Sequence, residues 1–290
     1  MYYKYTSKNM KFIRKIYVQR YTSNKINLYK SILYSKIMLS STTPREIAEN
    51  VAIATSTFYN FNNPSDIIRA NCARNMIRNA IDLGYSIALI DGGSPGELLD
   101  EFRRYGVNIF AEIERGMGKG RRQSFQEAYN LGKPVVAWIE PEKEHYIREL
   151  WKTTEPILEG KTDLVVPKRK SLDSYPEFQA REEELGNLFF KNLTGYDLDV
   201  WFGPRTWGRD ITNCFTGYDG KFGDKWESIF MPILKAIHDG KRVSGVEINY
   251  THPKEQTEIE KGDLKFDLKR IEQLSCLTNN MYAYWQSLKS

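Results

Sequence analysis

From Val51 to Glu140, short apolar runs alternate with longer stretches in which apolar residues recur every three or four positions. Val51-Ala52-Ile53-Ala54, ending in Thr55-Ser56-Thr57, predicts a buried first strand. Residues 67–83 place Ile68, Cys72, Met76, Ala80 and Leu83 at helical spacing and stop at Gly84, a residue suited to the position just past a helix. Ile87-Ala88-Leu89-Ile90 predicts a second strand that delivers Asp91-Gly92-Gly93 to its carboxyl end. Ser94-Pro95-Gly96-Glu97 then has the composition of a capping box, with Ser94 as N-cap of a helix over 95–105. A third strand is predicted over 107–113. The glycine-rich basic loop Arg115-Gly116-Met117-Gly118-Lys119-Gly120 opens another helix, closing at Gly132, and a fourth strand follows over 135–139.

Continuously apolar strands joined by single helices predict parallel pairing with both sheet faces covered, through right-handed crossovers. The class is α/β, and in such sheets ligands bind at the carboxyl ends of the strands. There the fourth strand delivers Glu140-Pro141-Glu142. Two carboxylates at that place can hold a divalent cation against a diphosphate, although a polar turn after a buried strand has the same composition. The 116–120 loop is neither a Rossmann G-x-G-x-x-G nor a P-loop, which argues against a dehydrogenase or a kinase. Its glycines and Lys119, Arg121 and Arg122 still suit a phosphate, and a flexible basic turn is the alternative.

Composition adds limits. A chain of 290 residues that is 41% hydrophobic can bury a sizeable core. Cys72, Cys214 and Cys276 fit neither a disulfide framework nor a Cys-rich zinc site, so a reducing, cytoplasmic setting is the default. No apolar stretch is long enough to span a bilayer. The net charge of +5 arises in residues 1–45, which carry Lys and Arg but no Asp or Glu, whereas acids outnumber bases from Glu46 onward. Nucleic acid is therefore not an expected partner. The basic segment 1–45 reads as a poorly ordered leader, either dispensable or a mitochondrial transit peptide.

The order of these motifs resembles the GT-A fold of nucleotide-sugar glycosyltransferases, specifically the family 2 type that includes polyprenyl-phosphate mannose and glucose synthases. Thr55-Ser56-Thr57, Asp91-Gly92-Gly93-Ser94, Gly118-Lys119-Gly120 and Glu140-Pro141-Glu142 stand at the places of that family's successive motifs, with Glu-Pro-Glu replacing the D-x-D metal motif. Trp201-Phe202-Gly203-Pro204-Arg205 and Gly223-Asp224-Lys225-Trp226-Glu227 stand at the places of its Gly-Phe-Arg segment and acceptor loop.

The resemblance implies a Rossmann-like, mixed but mostly parallel sheet flanked by helices, over residues 46–255. An amphipathic helix within 256–290 would pack back on that domain through Leu264, Leu268, Ile271 and Leu274, or touch a membrane surface or partner chain. The implied activity is inverting transfer of a sugar from a UDP- or GDP-linked donor to an unknown acceptor. Thr55, Asp91 and Lys119 would hold the base and ribose, with Glu140 and Arg205 nearby. Mg²⁺ or Mn²⁺ would sit on Glu142 and Glu140, with His252 as a third ligand. Asp224 or Glu227 would be the acceptor base, the alternative being a helix cap. Trp201, Trp207 and Trp226 are placed to stack on a sugar or to fill core. His145 and His238 receive no role. Two rival readings stand beside this one: a catalytically silent GT-A domain that binds a nucleotide or glycan, and a sugar nucleotidyltransferase, disfavoured because residues 55–60 contain no glycine.

Overall fold

The computed structural model describes residues 43–290. The segment 1–42, which holds nearly all of the basic leader, lies outside the described residues. Pro44–Ser290 forms one compact unit.

After a short α1 (Pro44–Ala48), the chain alternates β1 (Val51–Thr57), α2 (Pro64–Leu83), β2 (Ser86–Asp91), α3 (Gly96–Arg104), β3 (Asn108–Ala111), α4 (Met117–Asn130) and β4 (Val135–Trp138). It continues through α5 (Leu150–Leu158), β5 (Leu164–Arg169), α6 (Glu177–Thr194), β6 (Arg205–Gly208), α7 (Thr212–Thr216), α8 (Glu227–His238), β7 (Val243–Ile248), α9 (Lys254–Glu260) and α10 (Leu264–Lys289). Seven strands form one sheet in the order β3-β2-β1-β4-β6-β5-β7. The pairings of β1 with β2 and β4, and of β2 with β3, are parallel, as the apolar runs predict. β6 alone runs against its neighbours, inserted between β4 and β5.

Alternation along the strands divides the core into two layers. Val51, Ile53, Ile87, Leu89, Val135 and Ala137 face one side, where they meet α2 through Ala73, Met76 and Ile77. Ala52, Ala54, Ala88, Val136 and Trp138 face the other, where they meet Phe125 of α4. The alanines leave room for α4 to lie close to β1 and β2. Phe125 stands edge-on to Trp138, Trp207 and Phe215 at 5.5, 5.5 and 5.7 Å, so one ring ties β4, β6, α7 and α4 together. A fully buried aromatic of this kind contributes roughly 1.5–3 kcal/mol by area alone.

Three local expectations change. α2 begins at Pro64 and not at residue 67, because Asn63 accepts the Ser65 amide at 3.1 Å and Pro64 takes the first helical position. Gly84 does close it, in the left-handed conformation. Ser94 is not the N-cap of α3: its hydroxyl accepts the Tyr59 amide at 3.0 Å, a tertiary bond that outweighs the local one. In α10, Leu264, Leu268 and Ile271 face outward, 75%, 65% and 50% exposed, while Arg270, Gln273, Leu277, Met281 and Trp285 face the domain. The inward stripe includes Arg270 because Glu182 and Glu183 of α6 await it at 2.5 and 2.7 Å. No helix among the described residues is long and apolar enough to cross a membrane.

Candidate active site

The parallel register brings the carboxyl ends of β1, β2 and β4 together. Thr57 is aligned with Asp91, and its hydroxyl donates to Asp91 Oδ1 at 2.7 Å. Asp91 Oδ2 accepts the amides of Gly93 and Ser94 at 2.7 and 2.9 Å, shaping the loop after β2. Beside this loop lies a cavity of about 440 Å³, lined among others by Thr57, Tyr59, Gly92, Arg115, Gly116 and Arg121, which ends on Glu140-Pro141-Glu142. That volume falls within the range of small-molecule sites.

Three arginines face this cavity. Arg69, from the second turn of α2, places Nη2 2.7 Å from Glu142 Oε1, an oxygen that also accepts the Tyr59 hydroxyl at 3.2 Å. Burial, then the Glu142 charge, holds the Tyr59 phenol well above its usual range, so it stays a donor. Arg121, from α4, lies over the Trp138 ring at 5.2 Å and donates to the Lys225 carbonyl at 3.0 Å. Its burial pulls its pKa down, opposed by the charges of Glu140 and Glu227. Arg115 reaches the Gly92 carbonyl and Glu112.

Glu140 is positioned differently. A Cβ on Gly203 would overlap its carboxylate, and Gly203 has φ +81°, so both the backbone and the space require glycine there. Oxygen Oε2 of Glu140 is buried without a hydrogen-bond partner. Among the described residues no three His, Cys, Asp or Glu gather closely enough to form a protein-only metal cage. Magnesium and manganese ions in phosphate sites commonly take only one or two carboxylates, the remaining ligands coming from phosphate oxygens and water. Glu140, with an unsatisfied oxygen, and Glu142 at the same strand end fit that donor set.

Asp91, Glu140 and Glu142 thus sit at or beside the cavity, whereas the other predicted residues do not. Thr55 is fully buried and donates to the Ile139 carbonyl at 2.8 Å, two residues short of the strand end. Lys119 points away to Glu114 at 2.6 Å. Arg205 is fully buried beneath the site and spends its guanidinium on the Pro204 and Val200 carbonyls; burial, partly offset by Glu140, lowers its pKa to about 10. His252 is not part of a ligand set: Nδ1 meets Thr257 at 2.9 Å, and burial followed by the Lys143 charge lowers its pKa to about 3.

The acceptor-base expectation also changes. Asp224 forms a two-pronged pair with Arg122 while its carbonyl accepts the Gly118 amide at 2.9 Å. Glu227 accepts from the Lys225 amide at 3.0 Å and from Asn280 at 2.9 Å, at the first turn of α8. Neither lines a cavity next to the Glu140–Glu142 end. Of the predicted tryptophans, Trp207 is core, stacked on Phe215 at 3.8 Å. Trp201 and Trp226 line a second cavity of about 430 Å³, which shares Arg69, Met117, Arg121, Glu140 and Glu142 with the first. Arg121, which the sequence marks as suited to a phosphate, and Arg115 of the same basic loop line the first cavity. Tyr59, Arg69 and Lys143 are not marked in the sequence, because nothing in helical or strand periodicity singles out a residue that crosses from one element to another strand's end.

No known family profile matches the chain, and no curated protein sequence matches it. Solved structures do. Glucosyl-3-phosphoglycerate synthase from Mycobacterium tuberculosis, in complex with Mn²⁺, UDP-glucose and phosphoglyceric acid, is 13% identical with a TM-score of 0.59, over 83% of this chain and 84% of that one. The same enzyme with Mg²⁺ and UDP is 11% identical with a TM-score of 0.53, over 83% of this chain and 84% of that one. A further mycobacterial protein is 14% identical with a TM-score of 0.56, over 83% of this chain and 79% of that one. The fold is therefore that of the GT-A nucleotide-sugar glycosyltransferases: a mixed, mostly parallel sheet flanked by helices.

Proposed function

We propose that this protein is a glycosyltransferase of the family 2 type that transfers a sugar from a UDP- or GDP-linked donor to an acceptor hydroxyl in the cytoplasm, with inversion. The observation that carries this reading is the cavity running from the Asp91 loop to Glu140 and Glu142, on a sheet whose strand order sets those motifs on either side of the carboxyl end of β1. In support, the structural neighbours are solved with UDP-glucose or UDP and with Mn²⁺ or Mg²⁺.

The base and ribose would lie beside the Asp91 loop, and the diphosphate would lie towards Arg69, Arg115 and Arg121. A divalent cation held by Glu140 and Glu142 would supply positive charge to the leaving diphosphate. In the transfer, the acceptor oxygen bonds to the anomeric carbon from the face opposite the leaving group. The carbon–oxygen bond to the diphosphate breaks with its electron pair, and the hydroxyl proton passes to a base. The three guanidinium groups would stabilise charge that develops on the diphosphate; Arg121 is held in place by the Lys225 carbonyl, whereas Arg69 and the exposed Arg115 would first turn from Glu142 and Glu112. Mutual Coulomb attraction already holds Arg69 on Glu142, so the diphosphate competes for a cation that is in place.

The test is release of nucleoside diphosphate from a panel of UDP- and GDP-sugars with Mn²⁺ or Mg²⁺. Release that depends on the sugar nucleotide and on the metal supports the reading. Binding without any release under all conditions favours the catalytically silent module.

A further inference from the structure

The second cavity is lined by side chains from α6, α8, α9 and α10 and opens onto the same Glu140–Glu142 end as the first. Among the described residues, four buried acceptor oxygens on its lining side chains have no hydrogen-bond partner, Glu140 Oε2, Gln179 Oε1, Glu183 Oε2 and Glu260 Oε2, of which Glu183 Oε2 faces Arg169 Nη1 at 2.7 Å in an ion pair; Arg270 Nε is a buried donor likewise without one. Gln179 is 6% exposed, and its amide nitrogen is already given to Glu183 at 2.8 Å, leaving only the carbonyl. The nearest base to Glu260 Oε2 is His252 Nε2 at 3.9 Å, beyond hydrogen-bond range. Leaving such groups unmatched is costly, so a partner that both donates hydrogens and accepts them has a place prepared for it.

The cations around the cavity decide what that partner is. Arg69 is committed to Glu142 and Arg270 to Glu182 and Glu183. Among the described residues neither Lys143 nor Lys269, both lining the cavity, has a carboxylate within ion-pair distance; the Lys143 ammonium lies 5.7–5.8 Å from the ring centres of Tyr175, Phe202 and Tyr250. An anionic ligand could meet Lys143 or Lys269 only while facing the Glu260 carboxylate, whose charge both lysines feel. A hydroxyl meets both sides, because it donates one hydrogen and accepts through two lone pairs. Trp201, Phe202, Trp226 and Phe266 supply flat apolar walls in the same cavity, suited to the C–H faces of a pyranose or polyol.

We propose that this second cavity is the acceptor site and that it takes an uncharged, hydroxyl-rich acceptor, a sugar or polyol, whose hydroxyls donate to Gln179 and Glu260. The assignment rests on the glycosyltransferase reading for its role, while the binding itself can be measured without turnover. Saturation-transfer NMR on the full chain, alone and with UDP, would use glucose, mannose, trehalose and myo-inositol as probes, with 3-phosphoglycerate as the anionic comparison. At least one neutral probe should bind, more tightly than 3-phosphoglycerate. Gln179→Leu and Glu260→Ala should each weaken that probe about tenfold or more while the UDP affinity stays within twofold of wild type. No signal from any neutral probe overturns the proposal, and so does tighter binding of 3-phosphoglycerate or unchanged affinity in both variants. Each of these failures leaves metal-dependent release of nucleoside diphosphate intact, so it is distinct from failure of the glycosyltransferase reading.

Discussion

Arg69 Nη2 lies 2.7 Å from Glu142 Oε1, so the carboxylate at the end of β4 is paired with a guanidinium carried in from α2. The pair is unequal in burial: the Arg69 side chain is 45% exposed and that of Glu142 9%. Glu142 is therefore held in place by a cation that can swing into solvent or onto a phosphate. A divalent ion arriving without the donor must compete with that guanidinium.

Replacing Arg69 by Gln should relieve the competition. Mn²⁺ affinity in the absence of nucleotide should rise, by up to roughly tenfold, and donor affinity at saturating Mn²⁺ should fall as one diphosphate contact is lost. Because the pair is partly exposed, its own contribution to stability is about 1 kcal/mol or less, and the melting temperature should move little. Calorimetry with Mn²⁺ alone is the check; weaker Mn²⁺ binding in the variant would contradict the competition.

Gly203→Ala and Gly160→Ala separate backbone strain from steric conflict. Both glycines have positive φ, +81° and +66°, but nothing lies near a Cβ at Gly160, whereas one at Gly203 would strike Glu140. Gly160→Ala should cost about 1 kcal/mol and leave donor binding unchanged. Gly203→Ala should cost more, roughly 2–4 kcal/mol, and should also weaken metal and donor binding. Equal effects of the two in denaturant unfolding and donor titration would mean that Glu140 is not seated by Gly203.

Asp224 and Glu227 already have partners, Arg122 for the first and Asn280 with the Lys225 amide for the second. Asp224→Asn and Glu227→Gln should lower the melting temperature and keep turnover within a few-fold of wild type. A loss of roughly a hundred- to ten-thousand-fold at unchanged donor affinity, the signature of a missing base, would restore one of them to the reaction.

His252 provides a pH test of the second cavity's wall. Burial, reinforced by the Lys143 charge, lowers its folded pKa to about 3, against about 6.5 for an unfolded histidine. Between those values the unfolded chain binds a proton that the folded chain does not. Stability therefore falls as pH drops from about 6.5 towards 3, by at most about 1.4 kcal/mol per unit from this group. Denaturant midpoints measured from pH 7 to 4 should decline less steeply in His252→Asn than in wild type, and parallel profiles would contradict the assignment.

The parallel half of the sheet was legible because β1, β2 and β4 are apolar on both faces, and a strand buried on both faces leaves a continuous run. β6 was not legible as a strand. It is four residues long and begins with a buried arginine, so it lacks the apolar run that marks β1, β2 and β4. The motif acids at the ends of β2 and β4 were found because a parallel strand delivers its last side chains to one rim. In the register it is Thr57, and not Thr55, that is aligned with Asp91. Arg69 and Lys143 were missed because each meets its site across elements far apart in sequence. The apolar stripe Leu264, Leu268, Ile271 and Leu274 reads as inward; Leu274 does pack against the core, but the buried acids of α6 draw Arg270 to that interface and turn the other three outward.

The most direct test of the account is calorimetric titration of UDP-glucose and a GDP-hexose into the full chain, with Mn²⁺ and again in EDTA, beside Glu142→Ala and Glu140→Ala. The account predicts saturable binding of one donor in Mn²⁺, with affinity falling at least tenfold in EDTA and in both variants while their melting temperatures stay close to wild type. Absence of binding by either donor in Mn²⁺, or affinity unchanged in both variants, would contradict a nucleotide-sugar site ending on Glu140 and Glu142.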